Sequence, residues 1–278
     1  MSHRSLVVAV ALCFALAGCS AFGAAESEPV RAVTPAPVPT PEPSLPPGVT
    51  TSGVEDYERL DAAHRAALEG EGYTVEFSRT VRLANGTTVR RSVGGRTVGD
   101  GGASRTWERD AVRAERGATG VVGQETWANA SVQVVRFQYA NDTSRYTVIT
   151  ADQQYPYRGT GLAVSESLVT ENASLVDTDT NADPTTFTLL ARNLTGYRAT
   201  TAALDHTETS SLRVVVTEDG LVQRATVRYT GTLDGTRAAV VTTIRYDAGP
   251  RTVERPAWVE TALDRRTRTE TGNARPPN

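Results

Sequence analysis

The apolar residues of this chain recur at helical spacing up to Gly72 and alternate one by one after it, and that change of period limits the fold more than anything else in the sequence. Before it, Tyr57, Leu60, His64 and Leu68 form a stripe among Ala62, Ala63, Ala66 and Ala67, which favour helix. Ser52-Gly53-Val54-Glu55 reads as a capping box, with Ser52 as N-cap and Glu55 reaching back to its amide. Gly70 and Gly72 stop the segment. The pattern predicts one amphipathic helix of about four turns.

Beyond Gly72, Tyr73, Val75, Phe77, Val81 and Leu83 share one side of a strand, with Thr74, Glu76, Ser78, Thr80 and Arg82 on the other. Asn85-Gly86 then predicts a tight reversal into Thr87–Val93. Val132–Tyr139 and Arg145–Ile149 flank a turn at Asn141-Asp142. Leu212–Thr217 turns at Asp219-Gly220 into Leu221–Tyr229, and Asp234-Gly235 leads into Arg237–Tyr246. Half-polar strands joined by hairpins predict an α+β fold. It is a curved antiparallel sheet, open or half-barrel, covered on one face by the N-terminal helix and minor helices. Val164–Asn172 reads as a short helix, and Pro256 opens a final turn of helix ending at Leu263.

The ends of the chain have a different character. Arg4 precedes an almost wholly apolar run from Leu6 to Leu16, and Leu16-Ala17-Gly18-Cys19 comes next. The run is too short to span a bilayer and fits a signal-peptide core. Small residues ahead of a cysteine let a peptidase approach, so Cys19 is the expected lipid-attachment residue, exposed by cleavage after Gly18. Between Thr34 and Pro43 proline alternates with small residues, which excludes helix and sheet. An extended spacer is preferred over a proline-recognition ligand and would reach about 50 Å between Val33 and Gly48. The expected organisation is a signal peptide (1–18), lipidated Cys19 with a Pro-rich tether (19–52), a single sheet domain (53–263) and a disordered tail (264–278). The product is a monomer, exported and anchored on the outer face of the cytoplasmic membrane.

Cys13 leaves with the signal peptide, so one cysteine survives and no internal disulfide or spare thiol nucleophile exists. Every basic residue is arginine, the formal charge is only -3, and no basic stripe marks a nucleic-acid footprint. Asn-X-Ser/Thr sequons at Asn85, Asn129, Asn141, Asn172 and Asn193 are candidate glycosylation sites for an exported chain.

Catalytic chemistry is hard to assemble. His64 lies on the apolar helical stripe, where a structural histidine is the plainer reading. His206 sits in the polar run Asp205-His206-Thr207-Glu208, and no His/Cys cluster supplies a metal. Gly94-Gly95 and Gly99-Asp100-Gly101-Gly102 lack the lysine of a phosphate loop and read as a flexible hairpin loop. Asp177, Asp179 and Asp183 suggest a calcium loop, but Ala182 stands where glycine is needed, so a solvated acidic loop is preferred. Trp107, Trp127 and Trp258 suit sugar stacking, a lipid cavity or plain core packing. Arg79 interrupts the apolar side of its strand, facing a cavity or snorkelling. No enzyme, cofactor or metal is expected.

Leu60-Asp61-Ala62-Ala63-His64-Arg65-Ala66-Ala67-Leu68, then Tyr73-Thr74-Val75 and the closing Val253-Glu254-Arg255-Pro256-Ala257-Trp258, resemble a group of uncharacterised lipoproteins from halophilic archaea. More remotely, a helix leading into a long antiparallel meander is similar to lipid-carrying half-barrels of the LolA and LppX/LprG type. That resemblance implies a non-enzymatic module binding an apolar or amphipathic ligand between sheet and helix. Candidate cavity residues are His64, Tyr73, Phe77, Arg79 and Trp127. The alternative is an envelope or adhesion module binding protein or glycan through its sheet surface.

Overall fold

The computed structural model describes residues 43–69, 72–110, 120–150, 173–194 and 204–272. Cys19, Asn172 and the helix expected at Val164–Asn172 lie outside them. The chain enters its fold before residue 53. Leu45 packs against the core and Val49 is buried, so the last residues of the expected tether belong to the folded body. A small hairpin pairs β1 (Val49–Thr50) with β2 (Gly53–Val54).

Helix α1 (Tyr57–Leu68) is about three turns long and starts later than the capping box predicts. Ser52 is in the hairpin turn, its hydroxyl engaged by Thr50, while the Asp56 carboxylate caps the helix by accepting the Arg59 N–H at 3.0 Å. The hairpin is the reason, since its pairing holds Gly53 in a strand with φ of 141° where the capping box needed helix. Leu60, His64 and Leu68 are its buried face, as their spacing predicts. Each buried leucine contributes about 2–3 kcal/mol.

Two meanders make up the sheet. The first comprises β3 (Tyr73–Leu83), β4 (Thr88–Val98), β5 (Ser104–Asp110), β6 (Val121–Ala128), β7 (Val132–Tyr139) and β8 (Ser144–Thr150). The second comprises β9 (Ser174–Asp179), β10 (Thr186–Arg192), β11 (His206–Thr217), β12 (Val222–Leu233) and β13 (Thr236–Ala248). All join one curved, open sheet in the order β8-β7-β6-β5-β4-β3-β13-β12-β11-β10-β9. Every described contact between these strands is antiparallel, and β3 pairs with β13 from Tyr73↔Ala248 to Leu83↔Ala238. The first strand of one meander thus meets the last strand of the other at the middle of the sheet. Turn chemistry acts where it was predicted. Asp234 and Gly235 have φ of 50° and 70°, the left-handed pair a two-residue hairpin requires.

Three expectations are corrected. Gly94 and Gly95 are not loop residues but lie inside β4, opposite Phe77 and Glu76. A Cβ on Gly94 would come within 2.4 Å of the Phe77 ring and 2.6 Å of the Trp107 carbonyl, so glycine here makes room for a close approach. Asp177 and Asp179 stand on the strand β9, because β10 offers their backbone a ladder; only Asp183 is in a turn. The final helix, α2 (Ala257–Gly272), continues well past Leu263, so the expected structureless tail is helical as far as Gly272. Its first turns bury Val259 and Ala262, and that anchorage lets the helix propagate into the polar residues after Leu263.

The two helices take opposite faces of the sheet. Register puts Tyr246, Val75, Val81, Val240, Tyr229 and Leu212 on the face under α1, where the larger core lies. Trp127, Val134 and Val148 belong to the other face, over β6–β8, where Val259, Ala262 and Trp258 of α2 cover them. Each helix covers only part of the sheet, and among the described residues no other helix covers the rest of either face.

Candidate functional site

Tyr73, Phe77 and Arg79 alternate along β3 and share the face under α1. His64 reaches that face from above. Its Nδ1 accepts the Val222 N–H at 3.2 Å, and its ring meets Tyr246 edge-to-face with centroids 4.5 Å apart. The proton of the neutral ring is therefore on Nε2. Burial pushes the imidazole down to about 4, with Asp61 acting against that shift and Arg65 adding to it. Trp127 cannot join this group. Ala128, its neighbour in β6, lines up through Ser104 and Val98 with Tyr73, so Trp127 points to the opposite face. There it is 4% exposed, under α2, with the Arg255 guanidinium 5.4 Å from its ring centroid. None of these five candidate side chains borders a described cavity.

Sequon residues Asn85, Asn141 and Asn193 are exposed, and Asn129 is half-buried. Asn85 Oδ1 accepts the Thr87 N–H at 3.0 Å, bracing the turn predicted there. His206 is exposed at the start of β11. No group of three or more metal-ligating side chains occurs among the described residues.

The largest described cavity, about 950 Å³, runs along β7, β8 and α2. On the α2 side Tyr146, Val148 and Ala262 give it an apolar and aromatic wall, and Arg265 and Arg266 give it cations. Val121, Phe137, Tyr139 and Arg145 also border it, with Phe137 and Arg145 turned by the register to the other face across the β8 edge. Tyr146 ties walls and rim together. Its ring stacks on Trp258 at 6.3 Å, and the Arg265 guanidinium carbon sits 5.2 Å from its centroid. Such a groove can hold an apolar body and meet an anionic or polar head.

A second groove, about 460 Å³, opens on the same face over β5. Trp107 is its aromatic wall and is 40% exposed. Gly95 makes the seat, because a Cβ there would lie 3.1 Å from the indole Nε1. Beside it the Glu125 carboxylate accepts from Trp258 Nε1 at 3.0 Å, Gln138 Nε2 at 3.3 Å and Arg105 Nη2 at 3.4 Å. The sequence left Trp107 open between sugar stacking, a lipid cavity and core packing; its polar neighbours come from β6, β7 and α2, and no local motif joins them.

No family model matches the chain, and no curated protein is similar to it in sequence. Among solved structures it is similar to a DUF1329 family protein from Desulfovibrio piger (11% identity, 72% of this chain and 93% of that one, TM-score 0.27). It is also similar to a LolA superfamily protein from Nitrosomonas europaea (8% identity, 71% and 94%, TM-score 0.25). A third is a putative outer membrane lipoprotein-sorting protein domain from Vibrio parahaemolyticus (11% identity, 75% and 99%, TM-score 0.27). None of these likenesses bears on what this chain binds.

Proposed function

We propose that the protein is a non-enzymatic, extracytoplasmic lipoprotein, a monomer held to the membrane through Cys19, that binds an apolar or amphipathic ligand. The observation that carries this reading is the groove of about 950 Å³ between β7, β8 and α2, with its aromatic walls and arginine rim. A pocket of that volume suits a lipid-sized ligand, and the rim selects a head that is polar or anionic. The site is displaced from the helix–sheet space under α1, which is packed with Leu60, His64 and Leu68. Full-length protein purified from its own host membranes and analysed by native mass spectrometry should carry a solvent-extractable adduct. A Val148→Asp substitution should remove it. A clean mass that persists after incubation with host lipid extract would refute the reading. In the same preparation, Cys19→Ser should release the chain into the soluble fraction.

Trp107 favours a second reading, an envelope or adhesion module that binds glycan. An exposed indole beside a carboxylate, an amide and guanidinium donors suits a sugar ring, its face stacked and its hydroxyls hydrogen-bonded. Quenching of intrinsic fluorescence by host envelope polysaccharide, abolished in Trp107→Ala, would support it.

A further inference from the structure

Among the described residues, nothing covers the sheet face turned away from α1 over β3, β4 and β10–β13, and arginines populate it. In register, one row crosses six strands as Arg91, Thr80, Val241, Arg228, Ser211 and Arg192. Arg213 stands two residues along β11 from Ser211, beside Thr226. Two residues further, Arg224 is directly opposite Arg245. All these arginines are exposed, and among the described residues none has a carboxylate within 4.0 Å. Acids also share or border this face: Glu76 is across from Arg245 without an ion pair, Asp247 pairs with Arg251, Glu208 lies 4.0 Å from Arg237, and Asp177 and Asp179 stand on the edge strand β9 opposite Thr188 and Thr186.

Like charges opposite one another destabilise a sheet, and threonine would fill such positions with better strand propensity. The array therefore costs stability in the free protein, and an anionic surface would remove that cost. The chain as a whole is slightly acidic, so the arginine row is not a consequence of net charge.

We propose that this face docks on the phosphate headgroups of an anionic phospholipid membrane. The guanidinia are spread over six strands, roughly 24 Å, instead of converging on one point, which suits many anions in a plane. Arginine pairs with phosphate in a two-pronged geometry, and the interspersed hydroxyls of Thr80, Ser211 and Thr226 add donors. Sugars and unpaired bases are recognised by aromatic stacking. The aromatics of these strands (Tyr73, Phe77, Tyr229, Tyr246, Phe187) are all on the other face, buried except for the half-buried Phe77. A basic face also supplies the second attachment signal that strengthens a lipid anchor. The inference is independent of the ligand groove.

The test uses the full chain with Cys19→Ser, so that no acyl chain contributes. Cosedimentation is compared on phosphatidylcholine vesicles with and without phosphatidylglycerol; any contribution of the apolar N-terminal run is common to both. Binding to the anionic vesicles alone, weakening as salt rises, is the expected result. Combined Arg213→Gln, Arg224→Gln and Arg228→Gln should lower it by at least about tenfold. Arg59→Gln, Arg65→Gln and Arg90→Gln together, an equal charge loss elsewhere, should leave most of it. Equal binding to both vesicles, indifference to salt, or an unchanged first triple variant would overturn the proposal. So would retention on heparin without vesicle binding, which would assign the face to a soluble polyanion. Should the first triple variant lose its circular-dichroism signature, Arg213→Gln alone and the salt titration of the parent decide.

Discussion

His64 Nδ1 accepts the backbone N–H of Val222 across 158 residues of sequence, locking helix α1 to the start of β12. The bond requires an unprotonated Nδ1. Since burial holds the folded-state pKa near 4 while the unfolded value is 6.5, the unfolded chain binds the extra proton between those limits. Stability therefore falls as pH drops from about 6.5 to about 4 and levels off below, a loss of about 3 kcal/mol. Urea melts at stepped pH should show that slope. His64→Leu should flatten it while lowering stability at neutral pH, where the Val222 N–H is left unsatisfied. An unchanged slope in the variant would assign the pH dependence elsewhere.

Gly94→Val should be among the most damaging substitutions in the sheet. Its Cβ must displace the Phe77 ring at 2.4 Å and, less yieldingly, the Trp107 carbonyl at 2.6 Å. The expected loss is about 2–4 kcal/mol, read from a chemical melt. At Gly101, where nothing lies within 4 Å of an added Cβ, alanine should change stability by less than about 0.5 kcal/mol.

Val259 is fully buried in the small core between α2 and the sheet. Val259→Ala should cost about 1–3 kcal/mol, against roughly 0.5 kcal/mol or less at Val176, which is 47% exposed. The same variant should alter near-ultraviolet circular dichroism, because Trp127 and Trp258 flank the site. A silent spectrum with unchanged stability would mean that α2 is not packed on β6–β8 in solution.

The amphipathic groove predicts a division of labour between its walls and its rim. Val148→Asp should abolish retention of any apolar adduct. Arg266→Gln should weaken retention of an anionic amphiphile by about tenfold while sparing a neutral one of equal chain length. Native mass spectrometry with dodecyl phosphate and dodecanol separates the two effects. Equal loss of both ligands in Arg266→Gln would show the arginine to be structural.

What the sequence determined by itself was local. The stripe of Leu60, His64 and Leu68, the alternation from Tyr73 to Leu83, and the turns at Asn85-Gly86 and Asp234-Gly235 were legible, because each is a short-range consequence of backbone geometry. β5 was not legible, because its sequence, Ser-Arg-Thr-Trp-Glu-Arg-Asp, has no apolar alternation; it is a strand because β4 and β6 complete its hydrogen bonds. Gly94 and Gly95 read as loop because their value as close-approach points exists only once Phe77 and Trp107 are across from them. Alternation shows which residues share a side of a strand, but not which strand lies beside it. Tertiary pairing of the strands decided that, and through β4 and β5 it made Trp127 and Tyr73 face opposite ways. The same pairing gathered Arg91, Arg228 and Arg192, far apart in the chain, into one row. Charge spread thinly along a sequence becomes a basic face only when strands set about 4.8 Å apart bring distant residues into register.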